Sequence, residues 1–291
     1  MKIKSFLLLT VLLLSTLACG LIGGPTNNPI ADLPISATAP SVVIDSTSTP
    51  IPTFTPIATL TPAPPTNPPA TPMLSQLLHV ISIPFNESGN APVYTITAQI
   101  PSLEGAGDPR VSNINTLLNQ IVHDEINYFK TDVLASASNP PIAAGSSFDL
   151  QYTVLGQRGD IWSFKFDISY YADGAAHPGH SSRTLNFDLQ NSRELTLNEL
   201  FLAGSSYLQT VSDFCKAQLS TRDISFDMFS SGADALAGNY QRWNLTNDGL
   251  MITFDEYQVA PYAAGPQIVT VPYSELQNVM NLQSAIRWFA Q

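Results

Sequence analysis

Between Cys19 and Met73 the chain has no Lys or Arg, only Asp32 and Asp45 as acids, and a density of Thr and Pro that peaks in TPIPTFTPIATLTPAPPTNPPATP. Proline removes backbone donors, and so polar a composition buries too little apolar surface to offset the entropy of ordering. No core forms there. The segment is expected to be an extended, solvated stalk or a disordered tether; in a polyproline-like state, at about 3.1 Å per residue, it spans on the order of 100 Å or more. The fold is thereby confined to residues 74–291, a length suited to one large or two small domains.

What precedes the tract explains its presence. MKIKSFLLLTVLLLSTLACG places Lys2 and Lys4 before an apolar run from Phe6 and small residues around Ala18. This is the pattern of a secretory signal, too short for a mature membrane span. The order Leu17-Ala18-Cys19-Gly20 is similar to a bacterial lipobox, with an ordinary cleaved signal as the alternative. The expected organisation is a lipoprotein signal peptide over residues 1–18, lipidation at Cys19 and a linker over 19–73. The protein is then extracytoplasmic and held to the cell membrane by its lipid. Cys215 is the one other cysteine. With Cys19 lipidated no intrachain disulfide is available, and Cys215, set in the apolar pattern of YLQTVSDFCKAQL, reads as core.

Setting aside Lys2 and Lys4 from 12 bases, and Asp32 and Asp45 from 23 acids, leaves 10 against 21, a formal charge of −11 on the folded part. Nucleic acid and anionic lipid ask for basic patches and are poor partners. A cationic partner would be steered well.

Along the folded part, LLHVISIPF and VYTITAQI read as two strands joined through Gly89, Asn90 and Pro92. Val111, Ile114, Leu117, Leu118, Ile121, Val122, Ile126 and Phe129 recur at helical spacing and predict an amphipathic helix packed on a sheet. Phe148 to Val154, Trp162 to Ile168 and Leu185 to Leu189 alternate with polar residues, predicting an antiparallel meander with one buried face. Helical patches follow at TLNELF and SYLQTVSDFCKAQLSTR. RWNL, LMITFDEYQV and QIVTVPY predict further strands, and SELQNVM and SAIRWFA closing helices. Strands and helices in groups mean an α+β fold with antiparallel sheets and packed helices. The expected division is an N-terminal domain over 74–158 and a C-terminal domain over 159–291.

Candidate sites are few. His177-Pro178-Gly179-His180, with Asp173 nearby, offers two imidazoles, but zinc asks for three or four ligands and these histidines lack helical i, i+4 spacing. A structural loop is the expectation, with no metal or other cofactor. Asp255-Glu256 with Asp160, Asp167, Asp173 and Asp188 contain the carboxylates a glycoside hydrolase would pair. Asp167 and Asp188 fall at outward positions of their strands and read as a solvated face. G-x-S-x-G, S-x-x-K, a Cys-His arrangement and a phosphate-binding loop are lacking, so no catalytic residue is assigned and a non-enzymatic role is expected. In APYAAGP, Pro261 and Pro266 fix backbone angles and Gly265 permits a positive φ. Tyr257 and Tyr262 are candidate contacts on this rigid connection, packing being the alternative for each tyrosine there, Tyr273 included.

The run FDEYQVAPYAAGPQIVTVPYSEL, with AHPGHSSRTLNFDLQNSRELTLNELF upstream, resembles domain-of-unknown-function family 3298, the extracellular domain of the RsiV anti-sigma factors. VYTITAQIPSLEG through INTLLNQIVHDEINYF is similar to the PdaC-type N-terminal domain. Proteins of these kinds bind lysozyme or carry the module ahead of a peptidoglycan deacetylase. The resemblance implies an envelope module that binds peptidoglycan or a basic wall-acting protein such as lysozyme. Anti-sigma signalling and deacetylation are not carried over, since only a few residues precede the apolar run and the chain stops at Gln291. Candidate ligand contacts are Tyr257, Tyr262, Asp255, Glu256, His177 and His180. The alternative is an envelope hydrolase or metal-dependent enzyme using the His177/His180 loop and nearby acids.

Overall fold

The computed structural model describes residues 73–138, 140, 142 and 145–290. The signal peptide, Cys19 and the tract to residue 72 lie outside the described residues. Six strands form the larger sheet in sequential order: β1 (His79–Asn90), β2 (Val93–Glu104), β3 (Ser146–Arg158), β4 (Ile161–Tyr171), β5 (Gly179–Asp188) and the short β6 (Arg193–Glu194). Every neighbouring pair is antiparallel except β2 and β3. That parallel pair follows from helix α1 (Pro109–Tyr128), which carries the chain back across the sheet.

Helix α1 begins where its sequence dictates. Asp108 is the N-cap, its carboxylate accepting from the Arg110 backbone N–H, and Pro109 occupies a first-turn position that needs no donor. Val111, Ile114, Leu118, Val122 and Ile126 are buried along one stripe, and Phe129 follows in a π turn over Phe129–Val133. This stripe packs on Ile96, Ala98, Phe148, Leu150, Trp162, Phe164, Phe166, Ile168, Leu185 and Phe187, the apolar alternation read from the sequence. Among the described residues no helix is long and apolar enough to cross a membrane.

The opposite face of the large sheet is covered too. A second antiparallel sheet, β7 (Trp243–Leu245), β8 (Leu250–Phe254) and β9 (Gln267–Val271), gathers a separate core with helix α2 (Tyr207–Ser220) and the short α3 (Tyr273–Leu276). Cys215 is fully buried in that core, as expected. Gly156, at a β-bulge in β3, lets the two sheets meet: a Cβ there would fall on the Leu245 carbonyl oxygen. The expected division after residue 158 falls at the turn between β3 and β4, which pair along most of their length in one sheet.

Three expectations need correction. The strand read over LMITFDEYQV ends at Phe254, because the chain turns at Asp255 and Tyr257 takes a left-handed φ of 64°. The closing helices are curtailed to α3 and a 3₁₀ turn over Ala285–Trp288, since the backbone around Val279 to Asn281 pairs with Leu200, Phe201 and Leu202 instead of continuing a helix. Asp188 is buried, its carboxylate accepting from the backbone and side-chain amides of Asn191 at 3.1 and 2.6 Å, so it closes a turn instead of facing water.

Candidate functional site

Alternation along a strand sends successive side chains to opposite faces, so the apolar positions packed on α1 leave a polar set on the other face. Register aligns that set in rows across β3, β4 and β5: Asp149, Ser169 and His180; then Gln151, Asp167 and Ser182; then Thr153, Lys165 and Thr184; then Ser163 with Asn186. The second sheet closes over one end of this face and stands clear of the other.

At the closed end the polar groups satisfy one another. Asn186 accepts from Ser163 Oγ at 2.7 Å and from Leu245 N–H at 3.1 Å, and donates to the Trp243 carbonyl at 2.8 Å. Asn244 donates to Ser163 Oγ and to the Phe164 carbonyl, each at 2.9 Å. All three side chains are at most 2% exposed. A polar strand face is buried here because side-chain bonds replace those to water.

At the other end the sheets diverge around a cleft of about 550 Å³, within the size range of small-ligand sites. One wall and the floor are the polar strand face. The other wall is the β8–β9 connection: Asp255 and Glu256, a 3₁₀ turn over Tyr262–Ala264, Gly265 with φ 64°, Pro266 and then Ile268 in β9.

Ion pairs and hydrogen bonds lock the walls together. Asp255 accepts from Ser182 Oγ at 2.7 Å and pairs with Arg242 Nε at 2.7 Å. The Arg242 Nε–H also reaches the Ser182 carbonyl, at 2.8 Å. Glu256 takes His180 Nδ1 at 2.6 Å and the His180 backbone N–H at 3.2 Å. A carboxylate only accepts, so Nδ1 carries the proton in this pair and neutral His180 keeps Nε2 as an acceptor. The Tyr262 hydroxyl donates to the Pro178 carbonyl at 2.9 Å, and its ring stacks on His177 at 3.8 Å between centroids. Close by, Arg183 pairs with Glu125 of α1 at 3.0 Å; burial raises the Glu125 carboxyl above its ordinary range, while Arg183 and Arg242 pull against the rise.

The HPGH stretch and the APYAAGP stretch, read separately from the sequence, are therefore one site. His180, Asp255, Glu256 and Tyr262 line the cleft, while His177 supports Tyr262 from behind. Tyr257 is 57% exposed with its ring centroid 6.0 Å from that of Tyr262. Tyr273 is instead core, its hydroxyl donating to the Thr246 carbonyl at 2.8 Å. Asp160 and Asp173 serve the backbone elsewhere, at Ser75 and at Ile142 and Gly145. The two loop imidazoles have different partners, and among the described residues no group of three or more His, Cys, Asp or Glu is placed to hold a metal ion.

Sequence reasoning missed Lys165, Arg242, Ser182 and Thr253. Lys165 is 7% exposed and bonds Asp167 on the cleft floor; a lysine in the middle of WSFKFDI was the available signal. Thr253 is 2% exposed, lines the cleft, and its hydroxyl has no hydrogen-bond partner among the described residues. Nothing in LMITF marked it.

Residues 198–274 match a family described as a protein of unknown function, DUF3298. That segment holds the β8–β9 wall and Arg242 but neither His180 nor Lys165. The immunogenic protein MPT64 of Mycobacterium tuberculosis is 27% identical over 111 residues, 38% of this chain and 49% of that protein. The peptidoglycan-N-acetylmuramic acid deacetylase PdaC of Bacillus subtilis is 26% identical over 113 residues, 38% of this chain and 24% of that enzyme. An esterase of M. tuberculosis is 26% identical over 113 residues, 38% of this chain and 48% of its own. The matches thus span about half the length of these relatives or less. Crystal structures of DUF3298 proteins from Bacteroides fragilis and Pseudomonas aeruginosa share the fold, with TM-scores of 0.57 and 0.51 at 17% and 16% identity. They cover 73% and 72% of this chain, and 97% and 95% of their own.

Proposed function

We propose that this chain is a lipid-anchored, extracytoplasmic binding module whose cleft captures a cell-wall component. One observation carries the reading: the polar strand face, elsewhere sealed by Asn186 and Asn244, is left open beneath Tyr262 as a ligand-sized cleft with fixed walls. Rigid walls lose little entropy on binding, which favours recognition. The lipobox-like Cys19 and the stalk suit a domain held out from a membrane toward a wall. Similarity to an enzyme named for acting on peptidoglycan supports the choice of ligand.

Calorimetry with soluble peptidoglycan fragments, and separately with lysozyme at low and high salt, tests the reading. Wall fragments are expected to bind, and Tyr262→Ala to weaken them roughly tenfold, the loss of one aromatic contact. A charge of −11 would draw a basic protein instead, and that interaction would weaken as salt screens it. Binding to neither rejects the module.

A hydrolase is the second reading, favoured by the oriented His180–Glu256 pair and by Ser169, which lies directly across from His180 in register. It requires turnover of an ester such as p-nitrophenyl acetate, abolished by Ser169→Ala. No turnover by the parent protein removes it.

A further inference from the structure

We infer that the cleft takes an uncharged saccharide, a pyranose bearing hydroxyl or acetamido groups, with Thr253 and Lys165 as its buried contacts. The inference rests on the binding reading and adds the ligand's chemistry.

Thr253 is the first reason. A buried hydroxyl without a partner costs free energy, and natural proteins leave few of them. This one lines a cleft, so a ligand hydroxyl or amide would satisfy it on binding. The floor of that cleft presents Lys165, whose ammonium has three donors and only Asp167 as a bonded partner among the described residues.

The second reason is the contrast between the walls. Beyond Thr253, Asp255 and Glu256, the β8–β9 side presents the Tyr262 ring with Ala263, Ala264, Pro266 and Ile268, whereas the strand side presents mostly hydroxyl, amide and carboxylate groups. A pyranose has this same division, with C–H faces for aromatic and aliphatic contact and a rim of donors and acceptors. An apolar ligand would strand the floor, and a fully polar one would waste the loop.

Charge settles the rest. Asp255 is matched by Arg242 and Asp167 by Lys165, while Glu256 is held by hydrogen bonds from the His180 Nδ1–H and backbone N–H. Asp149 bonds only the neutral Gln151 among the described residues, and from an exposed position. Carboxylates already bonded within the protein offer little to an ionic ligand, and the fixed dipoles around them offer much to a neutral one.

Calorimetry on the detergent-solubilised full chain tests the inference, using an N-acetylglucosamine tetrasaccharide, its fully de-N-acetylated and hence cationic counterpart, and whole peptidoglycan fragments. The acetylated sugar is expected to bind, with affinity changing less than about twofold between low and high salt. Thr253→Val, which keeps shape and removes the hydroxyl, should weaken it roughly tenfold while leaving thermal unfolding in place. Lys165→Met should weaken it at least as much. Unchanged affinity in Thr253→Val overturns the assigned contact, and preference for the cationic sugar with strong salt dependence overturns the neutral ligand. Fragments that bind only through their peptide stems overturn the inference and leave the module standing. If no fragment binds, the inference fails, and the binding module fails with it when lysozyme does not bind either.

Discussion

Replacing Asn186 by Ala should release the second sheet from the first. The side chain is 2% exposed and serves three partners: Ser163 Oγ, the Leu245 N–H and the Trp243 carbonyl. After truncation the Ser163 hydroxyl can turn to Asn244 Oδ1, which has no partner among the described residues. The two backbone groups of β7 have no such recourse. Each orphaned group costs about 1–3 kcal/mol, so a loss of about 4 kcal/mol is expected, a large share of a domain's total. Urea unfolding followed by tryptophan fluorescence is the assay, since Trp243 sits in the joint and Trp162 lies beneath it on the large sheet. Asn186→Asp keeps the acceptor and loses the donor to Trp243; buried there, its carboxyl is raised, so its deficit should grow as pH rises above the ordinary carboxylate range and shrink as pH falls. A loss under about 1 kcal/mol for Asn186→Ala, with an unchanged denaturant slope, would refute the view that these amides join the sheets.

Other consequences follow from single residues. Gly156→Ala places a methyl on the Leu245 carbonyl and is expected to cost about 1–3 kcal/mol in the same unfolding assay; a neutral effect would mean the sheets can part there without strain. Arg110 holds the Asp108 carboxyl down to about 2, against an ordinary 3.8. A depressed folded value stabilises above the ordinary range, so the advantage of wild type over Asp108→Asn should be complete at neutral pH and vanish as pH falls through about 2, read as thermal midpoint against pH. Burial pushes the Cys215 thiol up to about 12, so mass spectrometry should find it unlabelled by a maleimide at pH near 8 until the chain is unfolded. Rapid native labelling would show that its core opens.

The apolar half of this architecture was legible from the sequence and the polar half was not. Phe148 through Leu189 alternated as buried strands do, and Val111 through Ile126 recurred as one helical stripe. The same alternation made Ser163, Asp188 and Asn186 look like solvent-facing positions, because the pattern records polarity and not what covers it. Their burial depends on Asn244, in a three-residue strand that carries almost no periodic signal of its own. At the site, Tyr262 and His180 each stood out by residue type. That they share a cleft follows from strand register and a loop closing over β5, contacts more than 70 residues apart that no local pattern encodes.

The Asn186–Asn244 joint also acts as a fulcrum. From Ser163 to Ser169, β4 runs about 20 Å, at about 3.3 Å per residue, before it reaches the row of His180 at the cleft mouth. A tilt of about 5° at the joint would displace the mouth by roughly 1.7 Å, more than the spread of about 0.5 Å over which a hydrogen bond keeps its length. Two amides that touch no ligand thus set the aperture, and substitutions there would be felt as lost affinity well before the chain unfolds.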